Sequence, residues 1–416
     1  MHACVIGAGV IGVTSAWQLA RQGWQVTLVD TAAEPADGAS HANGGQLSYS
    51  YVAPLAEPGV LPHLPTWLLD RASPLRFRLR ADPLQWRWCL QFLRACNARS
   101  ASATSAQLLS LSYLSRQALH DIQRESPIDF GHARNGKLIV YRTPALLEKA
   151  RAQVALQAEL GSDQQVLNAD QLIEREPALE PVRSRLAGAV YTPSEESGDC
   201  ARFTRGLFGQ LAAMDQVTLR MRTPIRRLER GGGRIRSLVT ASGESIEADQ
   251  FVMAAGMGSR PLMAALGARA PLYPLKGYSL SLPCAPEQAP AISVTDYERK
   301  TVYANLGGTL RIAAMVGIGV ADHGIEADRI ALVRQQAREL LPRADMDQAQ
   351  AWAGYRPATP HGRPLIGRSR AAGNLWLNIG HGALGFTLAC GSSRLLGSLM
   401  DGSAPAIDPA PFQPNC

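Results

Sequence analysis

The chain has 416 residues, of which 46% are hydrophobic and 19% charged, with a net charge of +7. That is enough for two or three domains around sizeable cores, and it excludes both a disordered tail and a membrane bundle. The basic residues form no long block, so no nucleic-acid partner is expected, although an acidic surface or a carboxylate substrate suits the charge.

Ala3–Ile6 reads as a short buried strand, and Gly7-Ala8-Gly9-Val10-Ile11-Gly12 follows at once. Val13–Gln22 then carries a helical pattern with Ala16, Leu19 and Ala20 on one face and Gly23 as its stop. Val26–Val29 is a second strand and ends at Asp30, 18 residues past Gly12. Each part has a physical job in holding a dinucleotide. Gly7 permits the tight turn, Gly9 lets backbone approach a pyrophosphate, and Gly12 allows helix and strand to pack closely. The helix start, with Val10 and Ile11, offers N–H groups and a positive dipole end to phosphate. Asp30 can accept hydrogen bonds from ribose hydroxyls and disfavours a 2′-phosphate, so NAD and FAD both remain open on this motif. Its place at the extreme amino terminus is typical of FAD-binding oxidoreductases.

A polar loop, Thr31 to Gly38, leads to Ser40-His41-Ala42-Asn43-Gly44-Gly45-Gln46. Ser40 can cap a turn beside the pyrophosphate, and Gly44 and Gly45 let backbone lie against a flat ring. Between Val60 and Phe92, Trp67, Trp86, Trp88 and Phe77 stand among Arg71, Arg76, Arg78, Arg80 and Arg87. That mixture suits an anionic membrane surface, or equally a helix pair packing its tryptophans inward. Helices are expected near 83–125 and 145–160. An antiparallel sheet is expected from 137–142, 186–192, 272–282 and 301–317. Strands at 216–222, 235–240 and 245–248, with a turn at Gly231-Gly232-Gly233, form a meander that returns through 249–254 to a final parallel strand ending at Gly256.

Asn374–Ile379 reads as a strand, and Gly380-His381-Gly382-Ala383-Leu384-Gly385-Phe386-Thr387 turns into a helix that runs to about Met400. This turn is another nest of N–H donors, suited to the negative edge of a reduced ring. Residues 404–416 read as an extended tail. The uncharged stretch 3–20 is interrupted by Gly7, Gly9 and Gly12 with no Lys or Arg before it, and 371–393 holds too many glycines and asparagines for a membrane span, so neither a span nor a cleaved leader is expected. The seven cysteines show no C-x-x-C pair and the eight histidines no metal-binding spacing, so no metal is expected.

Residues 7–30, 40–46, 198–204, 273–279, 354–367 and 380–391 together resemble the DAO-like family of FAD-dependent amine and amino-acid oxidoreductases. Within it the strings Gly198-Asp199-Cys200, 273–279 and Gly380-His381-Gly382 are most similar to the branch that dehydrogenates D-amino acids. The resemblance implies an α/β fold, a Rossmann-like FAD-binding domain (1–60, 194–266 and 358–416) with an inserted α+β substrate domain on an antiparallel sheet (61–193 and 267–357). It implies that Gly7, Gly9, Val10, Ile11, Gly12 and Asp30 hold the ADP part. Ser40, Asn43, Gly44, Gly45 and Gln46 would pass the pyrophosphate and ring, Ile225 the adenine, Gly256 the first glycine loop, and Leu384, Gly385, Phe386 and Thr387 the flavin O2. Arg356 matches an arginine that clamps the substrate carboxylate, with Tyr278 and His381 as further pocket residues and Lys276 near the ring.

Two departures stand out. Relatives carry a second cation where Ala383 and Leu384 stand here, and no cysteine lies between 285 and 389 to tether flavin, so FAD is expected to be non-covalent. The expected reaction moves a hydride from the amino acid's Cα to flavin N5, with the two held about 3–3.5 Å apart. The resulting imine hydrolyses to a 2-oxo acid and ammonia, and electrons pass to a quinone or other respiratory acceptor. A D-hydroxyproline or D-proline dehydrogenase giving a cyclic imine, or a glycine/sarcosine-oxidase-like enzyme using O2, is the alternative. The expected location is the cytoplasm, peripheral on the inner membrane if 60–92 meets lipid.

Overall fold

The computed structural model describes residues 1–52, 54–62, 73–158, 163–320 and 324–416, with the side chains of 156–158 left aside. The chain builds two large sheets. The first has six strands in the spatial order Leu365–Arg368, Leu375–Ile379, Gln250–Met253, His2–Ile6, Gln25–Val29 and Val217–Arg220. All its pairings are parallel except that of 365–368 with 375–379. His2–Ile6 lies inside this sheet, so its side chains are covered on both faces. This accounts for a run of apolar residues with no polar alternation.

The helix Val10–Arg21 covers one face, burying Val13, Ala16, Trp17, Leu19 and Ala20. Helices Ala98–Glu125, Cys200–Ala212 and Gly385–Asp401 join the same core. Each fully buried leucine in it, such as Leu19, Leu28 or Leu388, is worth about 1.5–3 kcal/mol relative to exposure. Helix 98–125 lies in the part of the chain expected to bind substrate, yet it packs here, beneath the nucleotide-binding sheet. The other face is covered by the three-stranded meander Ile225–Gly231, Arg234–Thr240 and Ser245–Glu247 and by the helix Ser259–Ala265. The turn falls at Gly232 and Gly233, whose φ values are +61° and +75°.

The second sheet is larger and mainly antiparallel. Its order is Gln350–Ala358, Tyr273–Pro283, Thr309–Ile318, Thr301–Asn305, Ser293–Asp296, Lys137–Tyr141, Gly188–Thr192 and Gln165–Asn168, with Leu75–Phe77 added beside 309–318. The sequence reading missed 165–168, 293–296 and 350–358 as strands. The helix Ala327–Leu340 packs beneath this sheet through Ile330, Val333, Ala337 and Leu340. The tail is extended for most of its length but not loose: Phe412 is buried, and the Cys416 carbonyl accepts hydrogen bonds from Arg370 N and Ser369 Oγ, both at 2.8 Å.

Candidate functional site

A cavity of about 1320 Å³ opens where the two sheets face one another. Ordinary small-molecule pockets hold about 300–1,000 Å³, so this one has room for a dinucleotide and a second ligand.

At its nucleotide end lie Gly7, Gly9, Val10, Ile11, Asp30, Ser40, Ile225 and Gly256. Gly7 has φ +114°, and a Cβ there would stand 2.5 Å from the Ala254 carbonyl. Gly9 caps the helix without a side chain, and Ser40 Oγ takes the Val10 N–H at 3.0 Å. Asp30 accepts from Ala8 N at 2.5 Å and from Ala32 N at 2.8 Å, one bond to each oxygen. The carboxylate is thereby fixed in direction while each oxygen keeps acceptor capacity for a ribose hydroxyl. Bare backbone at the turn, a helix start facing the cavity and an aimed carboxylate fit an ADP group. Gly12 is absent from the lining. A Cβ on it would lie 1.7 Å from the Gly7 carbonyl oxygen, so it serves the helix–strand contact and acts on a ligand only at one remove.

Toward the other end the segment 43–48 crosses the second sheet. The Asn43 Oδ1 accepts from Gly45 N at 3.0 Å, and the buried Arg311 donates to the Asn43 carbonyl at 2.9 Å. Gly44 lies against Val302 and Ala313, and Gln46 Nε2 donates to Ser293 Oγ at 2.5 Å. Thr387 Oγ1 accepts from Ser48 N at 3.3 Å and donates to the Gln46 carbonyl at 3.4 Å. This joins the segment to the start of helix 385–401. Leu384, Gly385, Phe386 and Thr387 line the cavity there.

Arg356 and His381 line this cavity. Tyr278 borders it, but its ring packs on the other face of the sheet, in the core with Leu280, Leu282 and Val333, so the expected pocket contact is not made: strand alternation turns it to the same side as Lys276. The Arg356 guanidinium lies flat on Gly277, where a Cβ would be 2.6 Å from Nη2, and Nη1 donates to the Met315 carbonyl at 3.3 Å. No carboxylate lies within 4 Å of it among the described residues, and burial pushes its pKa down. A desolvated guanidinium with an open fork is a ready receptor for a ligand carboxylate. Tyr278 donates its hydroxyl to Glu326 Oε2 at 2.5 Å. His381 Nε2 and Ser392 Oγ are 2.9 Å apart, and burial drives this imidazole down to about 3, so it is neutral. Lys276 is turned away from the cavity lining. It is buried rather than the exposed strand lysine its type suggests, and it donates to the Gly324 carbonyl at 2.5 Å.

Sequence reasoning missed Ser48, Tyr51, Lys137, Lys300 and Trp352, which also line the cavity. One signal was present: Lys137 opens an otherwise apolar five-residue strand. It also missed the wall behind. The pair Glu196–Ser197 hydrogen-bonds to Gln46–Leu47, and Glu195 accepts from Ser50 N at 2.8 Å. Glu196 receives His120 Nε2 at 2.6 Å and His132 Nε2 at 2.7 Å, so two histidines that no spacing rule links do meet. Burial alone would raise the Glu196 pKa, but its hydrogen bond with His132 and the charge of His120 hold it below the usual range. With each imidazole bonded directly to the carboxylate and Arg116 and Arg134 both 3.8 Å away, the cluster reads as a hydrogen-bonded brace.

A family described as FAD dependent oxidoreductase (DAO) matches residues 2–399. The chain is 48% identical over 423 residues to D-amino acid dehydrogenase 2 of Ralstonia nicotianae, covering 99% of both chains. It is 47% identical over 415 residues to D-amino acid dehydrogenase 2 of Pseudomonas aeruginosa, covering 99% of this chain and 98% of that one. Among solved structures, glycine oxidase from Geobacillus kaustophilus superposes with a TM-score of 0.75 at 22% identity, covering 99% of this chain and 97% of the other.

Proposed function

The chain belongs to the DAO family of FAD-dependent oxidoreductases, and from that premise we propose that its cavity oxidises D-amino acids, as its two curated relatives' names state of them. The enzyme is an FAD-dependent D-amino acid dehydrogenase. When bound, FAD supplies the two-electron acceptor for the substrate's Cα–H. The chain's own residues do the rest. Gly7, Gly9, Val10, Ile11 and Asp30 would hold the ADP part, with Ser40 and Ile225 beside it and Gly12 and Gly256 supporting the loop. Asn43–Gln46 and Leu384–Thr387 would seat the ring non-covalently.

Arg356 would take the α-carboxylate and so present Cα to the ring. Tyr278, tied to Glu326 beneath the sheet, would support the strand on which Arg356 rests, and neutral His381 leaves the ring's edge free of added charge. The observation that carries this reading is the half-buried Arg356 fork, unmatched by any carboxylate within 4 Å among the described residues, in the cavity that holds the glycine-rich loop. The division into a nucleotide part (1–60, 194–266, 358–416) and a substrate part (61–193, 267–357) is supported by which sheet each strand joins, with helix 98–125 as the exception, since it packs in the nucleotide core.

Anaerobic mixing of the yellow holoenzyme with D- and L-amino acids, hydroxyprolines included, tests the reading. D-isomers are expected to bleach the flavin. Bleaching by L-isomers alone would overturn the assigned handedness, and no bleaching by any amino acid would overturn the activity.

We further propose that electrons leave to a quinone while the protein rests on the cytoplasmic face of the inner membrane. Leu79, Leu84, Trp86, Leu90 and Leu93 are all exposed along one stretch, Trp86 at 51%, with Tyr51 and Leu55 exposed at the cavity itself. Trp88 does turn inward, donating to the Ala358 carbonyl at 2.9 Å and stacking on Phe92. Trp67 and Arg71 lie outside the described residues. No helix among the described residues is long and apolar enough to cross a membrane. Flotation with vesicles containing phosphatidylglycerol at low salt is expected to carry the protein upward, and the double change Trp86→Ala, Leu90→Ala to abolish this. A wild-type protein that stays at the bottom removes the idea.

A further inference from the structure

Lys137 is 4% exposed, yet its ammonium lines the cavity. It donates to Ser48 Oγ at 2.9 Å and sits 4.7 Å from the centre of the Tyr51 ring. An ammonium has three donors, and no carboxylate stands within 4 Å of this one among the described residues. Glu195 acts on it only from a distance: one of its oxygens accepts from Ser50, and the other is buried without a partner. A dry cation with unfilled donors facing a cavity calls for an anion brought by a ligand.

Two anions are at issue, and the sheet register separates them. The Arg356 guanidinium sits at Met315, on strand 309–318. Three strand steps, roughly 14 Å at the usual spacing, lead from there to strand 137–141. The pairings Ala313–Val302, Val302–Thr295 and Thr295–Ile139 put Lys137 four residues further down the sheet, roughly 13 Å more. A small amino acid clamped by Arg356 does not bridge that gap. Gln46 and Thr387, assigned above to the ring, are close by. Lys137 pairs with Ser293, which takes the Gln46 amide, and Lys137's partner Ser48 donates its N–H to Thr387.

We propose that Lys137 is the cation that balances the negative charge arriving on the redox ring. The inference rests on FAD occupying this cavity. In the reaction the Cα–H bond breaks and both its electrons leave with the hydrogen as hydride. The substrate becomes an iminium and the ring gains one negative charge, while no proton leaves Lys137. A fixed positive charge in a water-poor site stabilises the reduced ring without reorganising. Burial lowers Lys137 to about 8, which leaves it protonated at neutral pH, and an anion beside it pulls that value back up.

The test is the midpoint potential of bound FAD, measured by dye equilibration on purified holoenzyme. Lys137→Met is expected to shift the reduced-to-oxidised ratio at least tenfold toward oxidised, about 30 mV for two electrons. Lys137→Gln keeps a hydrogen bond for Ser48 but not the charge and must behave like the Met variant. Lys137→Arg keeps the charge and must behave like wild type. If Met or Gln leaves the potential at the wild-type value, the proposal fails, and a variant too unstable to hold FAD leaves the other to decide. A wild-type protein without FAD would instead sink the cofactor reading itself.

Discussion

Replacing Arg356 by alanine is expected to lower kcat/KM for D-amino acids about hundredfold, chiefly through KM, with FAD still bound. A charged hydrogen-bonded contact to a carboxylate in a desolvated site is worth about 3 kcal/mol, and each 1.4 kcal/mol is tenfold. The cofactor should stay, because none of the nucleotide-end contacts involves this side chain. The free enzyme should lose no stability. A half-buried guanidinium with no counter-ion and one hydrogen bond adds little to the empty protein, so the melting temperature should hold. Arg356→Lys should recover only part of the loss, since a point charge lacks the planar fork. Gly277→Ala gives an independent check. Its new Cβ would press on the guanidinium at 2.6 Å and displace the flexible end of Arg356 without removing it. Steady-state kinetics of the three variants decide the matter: unchanged KM in Arg356→Ala refutes the carboxylate role.

Gly12→Ala is expected to yield protein that is insoluble or colourless, although Gly12 touches no ligand. Its Cβ would fall 1.7 Å from a backbone oxygen, and neither the helix nor the turn has a flexible end to give way. Ordinary overpacking costs about 1–3 kcal/mol, and a clash of backbone with backbone lies at the top of that range or above it. Helix 10–21 must retreat, taking its N–H groups from the phosphate site. Gly9→Ala is the contrast, for its nearest neighbour is Ser40 Oγ at 3.4 Å. That variant should fold normally and bind FAD more weakly. The flavin-to-protein absorbance ratio after desalting, with the melting temperature, reads both. A Gly12→Ala protein with a full complement of FAD would contradict the packing argument.

The amino-terminal unit was legible because every signal in it is local. An apolar strand, glycines at fixed spacing and a terminal acid lie within thirty residues, and the structure moves their limits by only a few positions. The wall opposite was legible only in part: strands within 137–142, 186–192, 272–282 and 301–317 were expected, but not their order or register. Its floor row, Trp352, Ser279, Ala313, Val302 and Thr295, is gathered from five strands, and nothing in any one of them announces the others. Arg356 was found by resemblance and not by pattern. Lys137 went unnoticed because a charge at the edge of a strand is ordinary until the sheet closes around it. His120, His132 and Glu196 meet for the same non-local reason. Lys276, expected near the ring, points instead beneath the sheet to the Gly324 carbonyl, because strand alternation puts it on the face opposite the cavity.

The spatial order of the first sheet also constrains how the molecule is made. Strand 2–6 is synthesised about 245 residues before its neighbour 250–253, and the edge pair 365–368 and 375–379 follows more than a hundred residues later still. At about 5–20 residues per second that interval is tens of seconds. Throughout it the nascent β-α-β unit presents an unpaired apolar edge, so chaperone occupancy and synthesis rate, more than final stability, should set the yield of active enzyme.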